Sequence, residues 1–143
     1  MVTPVTKEGN IDVLAVERII ENFVNNGVSP LIMGTTGEGN SVSTKQGVEM
    51  ISAAAKVGKG KCVIYAGLAG NCISEQIEAA KQFAEAGADV IAATLPSYYS
   101  LTPEQMYNYL VNDTGVSASY LDSVISILSG NTVMPTVTTS KTT

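Results

Sequence analysis

The stretch EAGADVIAATLP (residues 85–96) shows the pattern that decides the fold: the end of a helix, a glycine and a short apolar run. The stretches NNGVSPLIMG (25–34) and KVGKGKCVIYAG (56–67) repeat it. Their glycines stand about 30 residues apart, at Gly27, Gly58 and Gly87. Each glycine can take the left-handed backbone conformation that ends a helix. The apolar runs 28–33, 62–66 and 90–94 are typical of strands buried on both faces of a parallel sheet.

Capping signals predict the helices between these strands. The predicted starts are Asp12, the capping box of Ser43 and Gln46 for a helix over 44–57, Ser74, and Thr102 with Pro103 and Gln105. Apolar residues at helical spacing give each long helix one inward stripe: Val13, Val16, Ile20, Phe23 and Val24; then Val48, Ile51, Ala54 and Ala55; then Ile77, Ala80, Phe83 and Ala84.

Alternating strands and helices predict an α/β fold with a parallel sheet, either open and doubly wound or closed as a (β/α)₈ TIM barrel. Both architectures bind ligands beyond the carboxyl ends of their strands. The loops predicted there are GTTGEGNS, GLAGNC and PSYYSL, which are rich in glycine, hydroxyl groups or tyrosine. The loops at this edge are therefore the candidate site.

Composition limits the function further. The 143 residues are 45% hydrophobic and 15% charged with a net charge of −5, which predicts one globular domain and argues against nucleic acid or an anionic membrane as partner. The start of the chain does not resemble a signal peptide, so we expect a cytoplasmic protein. There is no histidine, so histidine-based catalysis is excluded and a metal site is not expected. Of the two cysteines, Cys62 is predicted to be a small buried residue.

Four motifs make residues 2–110 resemble the N-terminal part of one enzyme family. They are VTPVTKEGNID, GTTGEGNS, VIYAGLAGNC and GADVIAATLPSYYSLTPEQ, in that order. The family is that of dihydrodipicolinate synthase and N-acetylneuraminate lyase, TIM-barrel enzymes that form a Schiff base with pyruvate. The resemblance implies a carbon–carbon lyase of the class I aldolase type, with no cofactor and with a small 2-oxo acid, pyruvate, as ligand.

The resemblance also implies residue roles. The GTTG loop of Gly34, Thr35, Thr36 and Gly37 would hold the carboxylate of pyruvate, and Thr36 would join a proton relay with tyrosines. Tyr99 matches the tyrosine that reaches across a subunit interface, which implies a homo-oligomer. Successive N–H groups and hydroxyls in a glycine-flanked turn suit an anion on physical grounds as well. Each feature also has a plainer interpretation: a tight turn, packing aromatics, and for Glu38 a turn or cap residue.

The sequence departs from the family pattern after residue 110. Val111 stands where the family has its relay tyrosine, and the fifth strand looks largely deleted. The family's Schiff-base lysine lies at the end of the sixth strand. Only Lys141 comes late enough, in a polar segment without the buried strand that would lower an amine's pKa. The other lysines, predicted to be solvated charges, are Lys7, Lys45, Lys56, Lys59, Lys61 and Lys81.

These observations predict a TIM barrel truncated to roughly half, with a partial (β/α) barrel domain over 1–128 and a polar, disordered tail over 129–143. Its exposed sheet edges and the Tyr98–Tyr99 loop would favour self-association. Three functions follow. The first is a pyruvate-dependent lyase or aldolase whose truncated chain is inactive by itself. The second is an inactive half barrel that binds a 2-oxo acid or serves as an assembly module. The third is an unrelated phosphate-binding module, which GTTGEG fits poorly because it lacks the lysine and the glycine spacing of such loops.

Overall fold

The structure is a computed structural model that describes residues 1–109. The chain divides into two compact units, Met1–Tyr99 and a second that begins at Ser100. The predicted domain limit at residue 128, the tail over 129–143, Val111 and Lys141 lie outside the described residues. Within residues 1–109, no helix is long and apolar enough to cross a membrane.

The first unit alternates helices and strands, as the sequence predicts. Its elements are α1 (Val13–Asn25), β1 (Leu31–Ile32), α2 (Thr44–Gly58), β2 (Tyr65–Leu68), α3 (Ile73–Ala86) and β3 (Val90–Ala93), with two short 3-10 turns at Thr35–Gly37 and Gly39–Ser41. The second unit contributes α4 (Pro103–Asn108). The first predicted strand, 28–33, is longer than the observed β1, and the left-handed backbone of Met33 (φ 57°) ends β1 directly after Ile32. The second begins later than predicted and extends to Leu68, and the third ends one residue earlier than predicted.

The three strands form a parallel sheet in the order β1-β2-β3. In register, Leu31 lies beside Tyr65, and Tyr65 lies beside Val90. Sequential order and parallel direction mean that each crossover places its helix on the sheet and brings all three strand-to-helix loops to one edge. The predicted α/β fold built from parallel (β/α) units is therefore confirmed.

The hydrophobic core lies between the helices and one face of this sheet. Side chains that are fully buried there come from helices and strands alike: Val16, Ile20, Ile32, Met50, Ile51 and Ile64. On the opposite face of the sheet, Leu31 and Tyr65 remain 41% and 37% exposed. A parallel sheet is normally covered on both faces. This unit thus has the layer arrangement of part of a barrel, with helices outside and an open inner face.

The predicted helix starts are largely confirmed. The Asp12 carboxylate accepts a hydrogen bond from the amide of Ala15 at 2.9 Å. Capping boxes begin α2, between Ser43 and Gln46, and α4, between Thr102 and Gln105. Satisfying amide groups that have no partner within the helix explains why these residue types fix the starts so well.

One predicted helix end is wrong. Gly27 (φ 66°) and Gly87 (φ 114°) are left-handed, but Gly58 is the last helical residue of α2 and the left-handed residue there is Gly60 (φ 77°). Gly58 is needed for space instead, because a Cβ atom there would stand 3.0 Å from both Cys62 Sγ and Ile20 Cγ2. Cys62 is only half-buried, and burial raises the pKa of its thiol.

The prediction for α3 is wrong at its start and along part of its stripe. The helix begins at Ile73, with Cys72 rather than Ser74 at the cap. Ala79 and Phe83 are buried, whereas Ile77 is 40% exposed and Ala84 is exposed. Since α3 packs on α2 and on β2 and β3, only its face toward those elements is covered in this unit.

Candidate functional site

The GTTG loop follows β1 at the carboxyl edge of the sheet. Gly34 is extended, and residues Thr35–Gly37 then form one 3-10 turn. The amide of Gly37 donates to the Gly34 carbonyl and that of Glu38 to the Thr35 carbonyl, each at 3.0 Å. The structure thus brings all four predicted binding residues into one hydrogen-bonded turn. The N–H groups of Thr35 and Thr36 lie at its N-terminal start, where amides have no partner within the turn.

Two residues with left-handed backbone enclose this turn. Met33 has φ 57° and Glu38 has φ 51°, and neither is glycine. Such conformations cost free energy for residues with a Cβ atom and persist where the surroundings impose them. Glu38 is exposed and serves as the cap between the two 3-10 turns, which agrees with its plainer interpretation as a turn residue.

Two glycines leave room for the backbone at Met33 to pack closely, and we call Gly39 and Gly67 the glycine clamp. A Cβ atom at either position would collide with the Met33 carbonyl group, whose carbon would lie 2.8 Å away in both cases. At Gly67 it would also lie 3.2 Å from the Gly34 amide nitrogen. The peptide between Met33 and Gly34 is therefore held between β2 and the loop's own return, which fixes the direction of the turn that follows.

The N-terminal segment supports the far end of the turn. The Thr3 hydroxyl donates to the Gly37 carbonyl at 2.5 Å, and a Cβ atom on the buried Gly37 would lie 2.8 Å from the Met1 carbonyl oxygen. The backbone of the loop is thus packed on both sides.

The side chains of the loop, in contrast, are open to a ligand. Thr35 and Thr36 are exposed, and within residues 1–109 neither hydroxyl makes a hydrogen bond. Each hydroxyl can donate one hydrogen bond. Together with the amides at the open start of the turn, they form a set of neutral donors that suits a small carboxylate and needs no charged side chain.

Tyr98 and Tyr99 lie on the loop after β3. Their rings meet edge to face, with centroids 4.7 Å apart and planes at 87°, and each side chain is 75% exposed. Within residues 1–109, no hydrogen bond joins Tyr99 to Thr36. The predicted relay places Tyr99 in the site of a second copy, and it stays a prediction.

Comparisons with known proteins identify the fold and the loop motifs together. The model of the dihydrodipicolinate synthetase family matches residues 1–120. The chain belongs to this family. The 4-hydroxy-tetrahydrodipicolinate synthase of Corynebacterium aurimucosum is 41% identical over 101 residues, which are 70% of this chain and 33% of the relative.

Solved structures of the family agree. Dihydrodipicolinate synthase from Aquifex aeolicus has a TM-score of 0.74 at 28% identity, over 80% of this chain and 39% of that one. N-acetylneuraminate lyase from Mycoplasma synoviae has a TM-score of 0.71 at 28% identity, over 82% and 40% of the two chains. The chain thus spans about two fifths or less of these three proteins, and the resemblance seen in its motifs is confirmed for that part.

Residues 1–109 contain six lysines, Lys7, Lys45, Lys56, Lys59, Lys61 and Lys81. All six are exposed, as predicted. Lys56 pairs with Glu17 at 2.7 Å, and Lys59 pairs with Asp89 at 3.0 Å. Within the same residues, no group of three or more His, Cys, Asp or Glu side chains could hold a metal ion.

Sequence reasoning missed three features of the site. The glycine clamp and the left-handed Met33 leave no signal in a single sequence, because a long apolar residue is not expected in that conformation. Asn71 was missed as well, although a polar residue just after a strand at the ligand-binding edge is a usable signal. Its side-chain oxygen accepts hydrogen bonds from the amides of Ser97 at 3.1 Å and Tyr98 at 3.2 Å.

Proposed function

We propose that residues 34–37 hold the carboxylate of pyruvate in the site of a Schiff-base-forming lyase or aldolase. The observation that carries the proposal is the contrast within the loop between a backbone packed on both sides and two exposed, unengaged threonine hydroxyls. Donors fixed before the ligand arrives lose little entropy on binding, so a rigid turn is favourable for a ligand as small as pyruvate.

Neutral donors also fit the electrostatics of the chain. The protein carries a net charge of −5, and the exposed Glu38 follows the turn directly. An anion can still bind because charge-assisted hydrogen bonds to a carboxylate are stronger than neutral ones. We expect the affinity of such a site to be modest, since no described cation supports it.

The proposed reaction requires a lysine amine that attacks the ketone carbon of pyruvate and expels water. The resulting iminium draws electrons from the adjacent carbon, so that an enamine forms and can attack an aldehyde. Each of the six described lysines lies exposed at the surface. We propose that residues 1–109 supply the binding part of the site and that the imine-forming amine is not among them.

Thr36 and Tyr99 are proposed as members of a proton relay. Hydroxyl groups can pass a proton without histidine, which the chain lacks. Because the two tyrosine side chains are 75% exposed, the Tyr98–Tyr99 loop is free to enter the site of a second copy. The proposed assembly is a homo-oligomer.

The alternative is an inactive half barrel that binds a 2-oxo acid or acts only as an assembly module. The open inner face of the sheet favours it, since Leu31, Tyr65 and Val90 form one row across all three strands and the first two are exposed. Apolar side chains in such a row are stabilised when another layer covers them.

A pair of substitutions at Thr36 tests the carboxylate site. Val has the shape of Thr without the hydroxyl, and Ser keeps the hydroxyl without the methyl group. We expect Thr36→Val to raise the Kd for pyruvate about tenfold or more, because a hydrogen bond to a charged group is lost. Thr36→Ser should stay close to the parent protein. Titration of pyruvate followed by NMR measures both, and an equal response in all three proteins would reject the proposal.

Reduction with borohydride tests the location of the amine. The protein is treated with pyruvate and borohydride, digested and weighed peptide by peptide. Pyruvate binding without an adduct on any described lysine supports the proposal that residues 1–109 bind the ligand but do not contain the imine-forming amine. A stable adduct on one of those six lysines would overturn it and would indicate an imine-forming enzyme with an unexpected nucleophile.

A further inference from the structure

Asn71 joins two loops at the carboxyl edge of the sheet. It lies between β2 and α3, and its Oδ1 atom accepts hydrogen bonds from the amides of Ser97 and Tyr98 at 3.1 and 3.2 Å. Two N–H groups directed at one atom identify that atom as the oxygen of the side-chain amide. The acceptor therefore holds two successive backbone positions of residues 95–99, which we call the tyrosine loop.

No other hydrogen bond within residues 1–109 holds the backbone of the tyrosine loop. The last bond of the sheet on this side runs from the Thr94 amide to the Leu68 carbonyl at 2.9 Å. Beyond it, the rings of Tyr98 and Tyr99 contact each other and stand largely in solvent. The direction in which the loop leaves the sheet thus depends on Asn71.

Asn71 directly precedes a helix that is packed into the core. The next residue, Cys72, caps α3, and its carbonyl accepts the amide of Gln76 at 3.1 Å. Buried Ala79 and Phe83 then anchor α3 in the core. A short polar side chain next to such a helix can therefore restrain the backbone of the neighbouring loop through its hydrogen bonds.

We propose that Asn71 is a positioning residue that sets the place and direction of the Tyr98–Tyr99 pair. It touches the backbone before Tyr99 and acts on the tyrosine only through that backbone. The consequence for function, that Tyr99 is delivered to a site in a second copy, rests on the function proposed above. The positioning itself does not, and it can be measured without a ligand.

Amide hydrogen exchange tests the proposal directly. Leu has nearly the size of Asn but accepts no hydrogen bond, whereas Asp keeps an acceptor oxygen at the same position. In Asn71→Leu, we expect the amides of Ser97 and Tyr98 to exchange about fivefold faster, which corresponds to a typical exposed hydrogen bond. In Asn71→Asp, both should keep the parent rate. A structural defect alone would not be rescued by Asp.

Internal and matched controls separate a local effect from loss of the fold. The amides of Ile64 and Asp89 report on the sheet, since the Asp89 amide donates to the Ile64 carbonyl and the Ile64 amide to the Asp89 carboxylate. Their exchange should be unchanged. Asn26→Leu replaces an exposed asparagine whose bonds go to Asn22, and it should leave the tyrosine loop unaffected.

Near-ultraviolet circular dichroism gives a second readout, because the edge-to-face tyrosine pair is a chiral arrangement of two chromophores. We expect this signal to fall in Asn71→Leu and to persist in Asn71→Asp. If the Leu variant does not fold, Asn71→Ala takes its place, since the side chain is exposed. Unchanged exchange and dichroism in the Leu or Ala variant would overturn the proposal, whatever the titrations with pyruvate show.

Discussion

The GTTG loop and the tyrosine loop lie at the same edge of one sheet, yet they are held in opposite ways. The first is fixed by its backbone, which is enclosed by Gly39 and Gly67 and flanked by left-handed residues. The second is fixed by a single side-chain oxygen, that of Asn71, while its rings remain 75% exposed. Close backbone packing gives one rigid conformation, whereas exposed hydrogen bonds leave a loop easy to displace.

This difference matches the tasks proposed for the two loops. A carboxylate site gains from donors that need no rearrangement. A tyrosine that must enter the site of a second copy gains from a loop that can adjust as the copies meet. The difference also predicts which substitutions each loop tolerates, and measured changes in stability and binding test it.

The largest effect is expected at the glycine clamp. In Gly67→Ala, the added methyl group would collide with the Met33 carbonyl group and would stand 3.2 Å from the Gly34 nitrogen. Both contacts are backbone, so the strand or the loop must move. We expect the free energy of unfolding to fall by about 2 kcal/mol, as for an overpacked site, together with loss of pyruvate binding. Urea denaturation measures the first and the NMR titration the second.

Gly70→Ala is the matched control on the same segment. A Cβ atom there would also collide, but only with the end of the Gln76 side chain, which can turn away. Gln76 Oε1 is buried without a partner within residues 1–109, so reorientation toward solvent sacrifices no hydrogen bond of that atom. We expect a change within about 0.5 kcal/mol. Equal losses of unfolding free energy in Gly67→Ala and Gly70→Ala would show that a collision with backbone costs no more than one with a movable side chain.

Local signals in the sequence predicted the parts of the fold that local chemistry determines. Capping residues fixed the starts of α1, α2 and α4, since each cap binds an amide within its own turn. Apolar runs located the three strands. The failures at Gly58 and Ile77 concern contacts between elements far apart in the chain, because Gly58 makes room for Ile20 and Ile77 depends on which neighbour covers α3.

In the candidate site, too, local features could be predicted from the sequence and contacts between distant segments could not. The turn containing Thr35 and Thr36 could be predicted from its motif, since glycines and hydroxyls are adjacent in the chain. Its enclosure by Gly67, 33 positions from Gly34, could not, because it depends on the pairing of β1 with β2. The contact of Asn71 with Tyr98 spans 27 positions and needs the same sheet geometry. The roles of Thr35, Thr36 and Tyr99 stay predictions.

A smaller effect is expected at Glu38, which ends the turn with φ 51°. Asparagine tolerates this conformation better than other residues with a Cβ atom. Glu38→Asn should therefore raise the free energy of unfolding by about 0.5 kcal/mol. Glu38→Ala also removes the charge but keeps the strain, so it should give no gain. Urea denaturation of the two variants separates backbone strain from charge, and a gain in both would contradict a strained turn.

The smallest effect on stability is expected in the tyrosine loop. Tyr99→Ser removes an aromatic ring that is 75% exposed and meets the ring of Tyr98 edge to face. The free energy of unfolding should change by less than about 0.5 kcal/mol. Self-association, measured by sedimentation at several protein concentrations, should weaken if the loop enters a second copy. Leu14→Ser, at an apolar side chain on α1 that is 66% exposed, is the control for general loss of exposed apolar surface. A loss of stability in Tyr99→Ser as large as that in Gly67→Ala would show that the tyrosine loop is packed as closely as the GTTG loop. The proposed contrast between a rigid carboxylate-binding loop and an adjustable tyrosine loop would then be wrong.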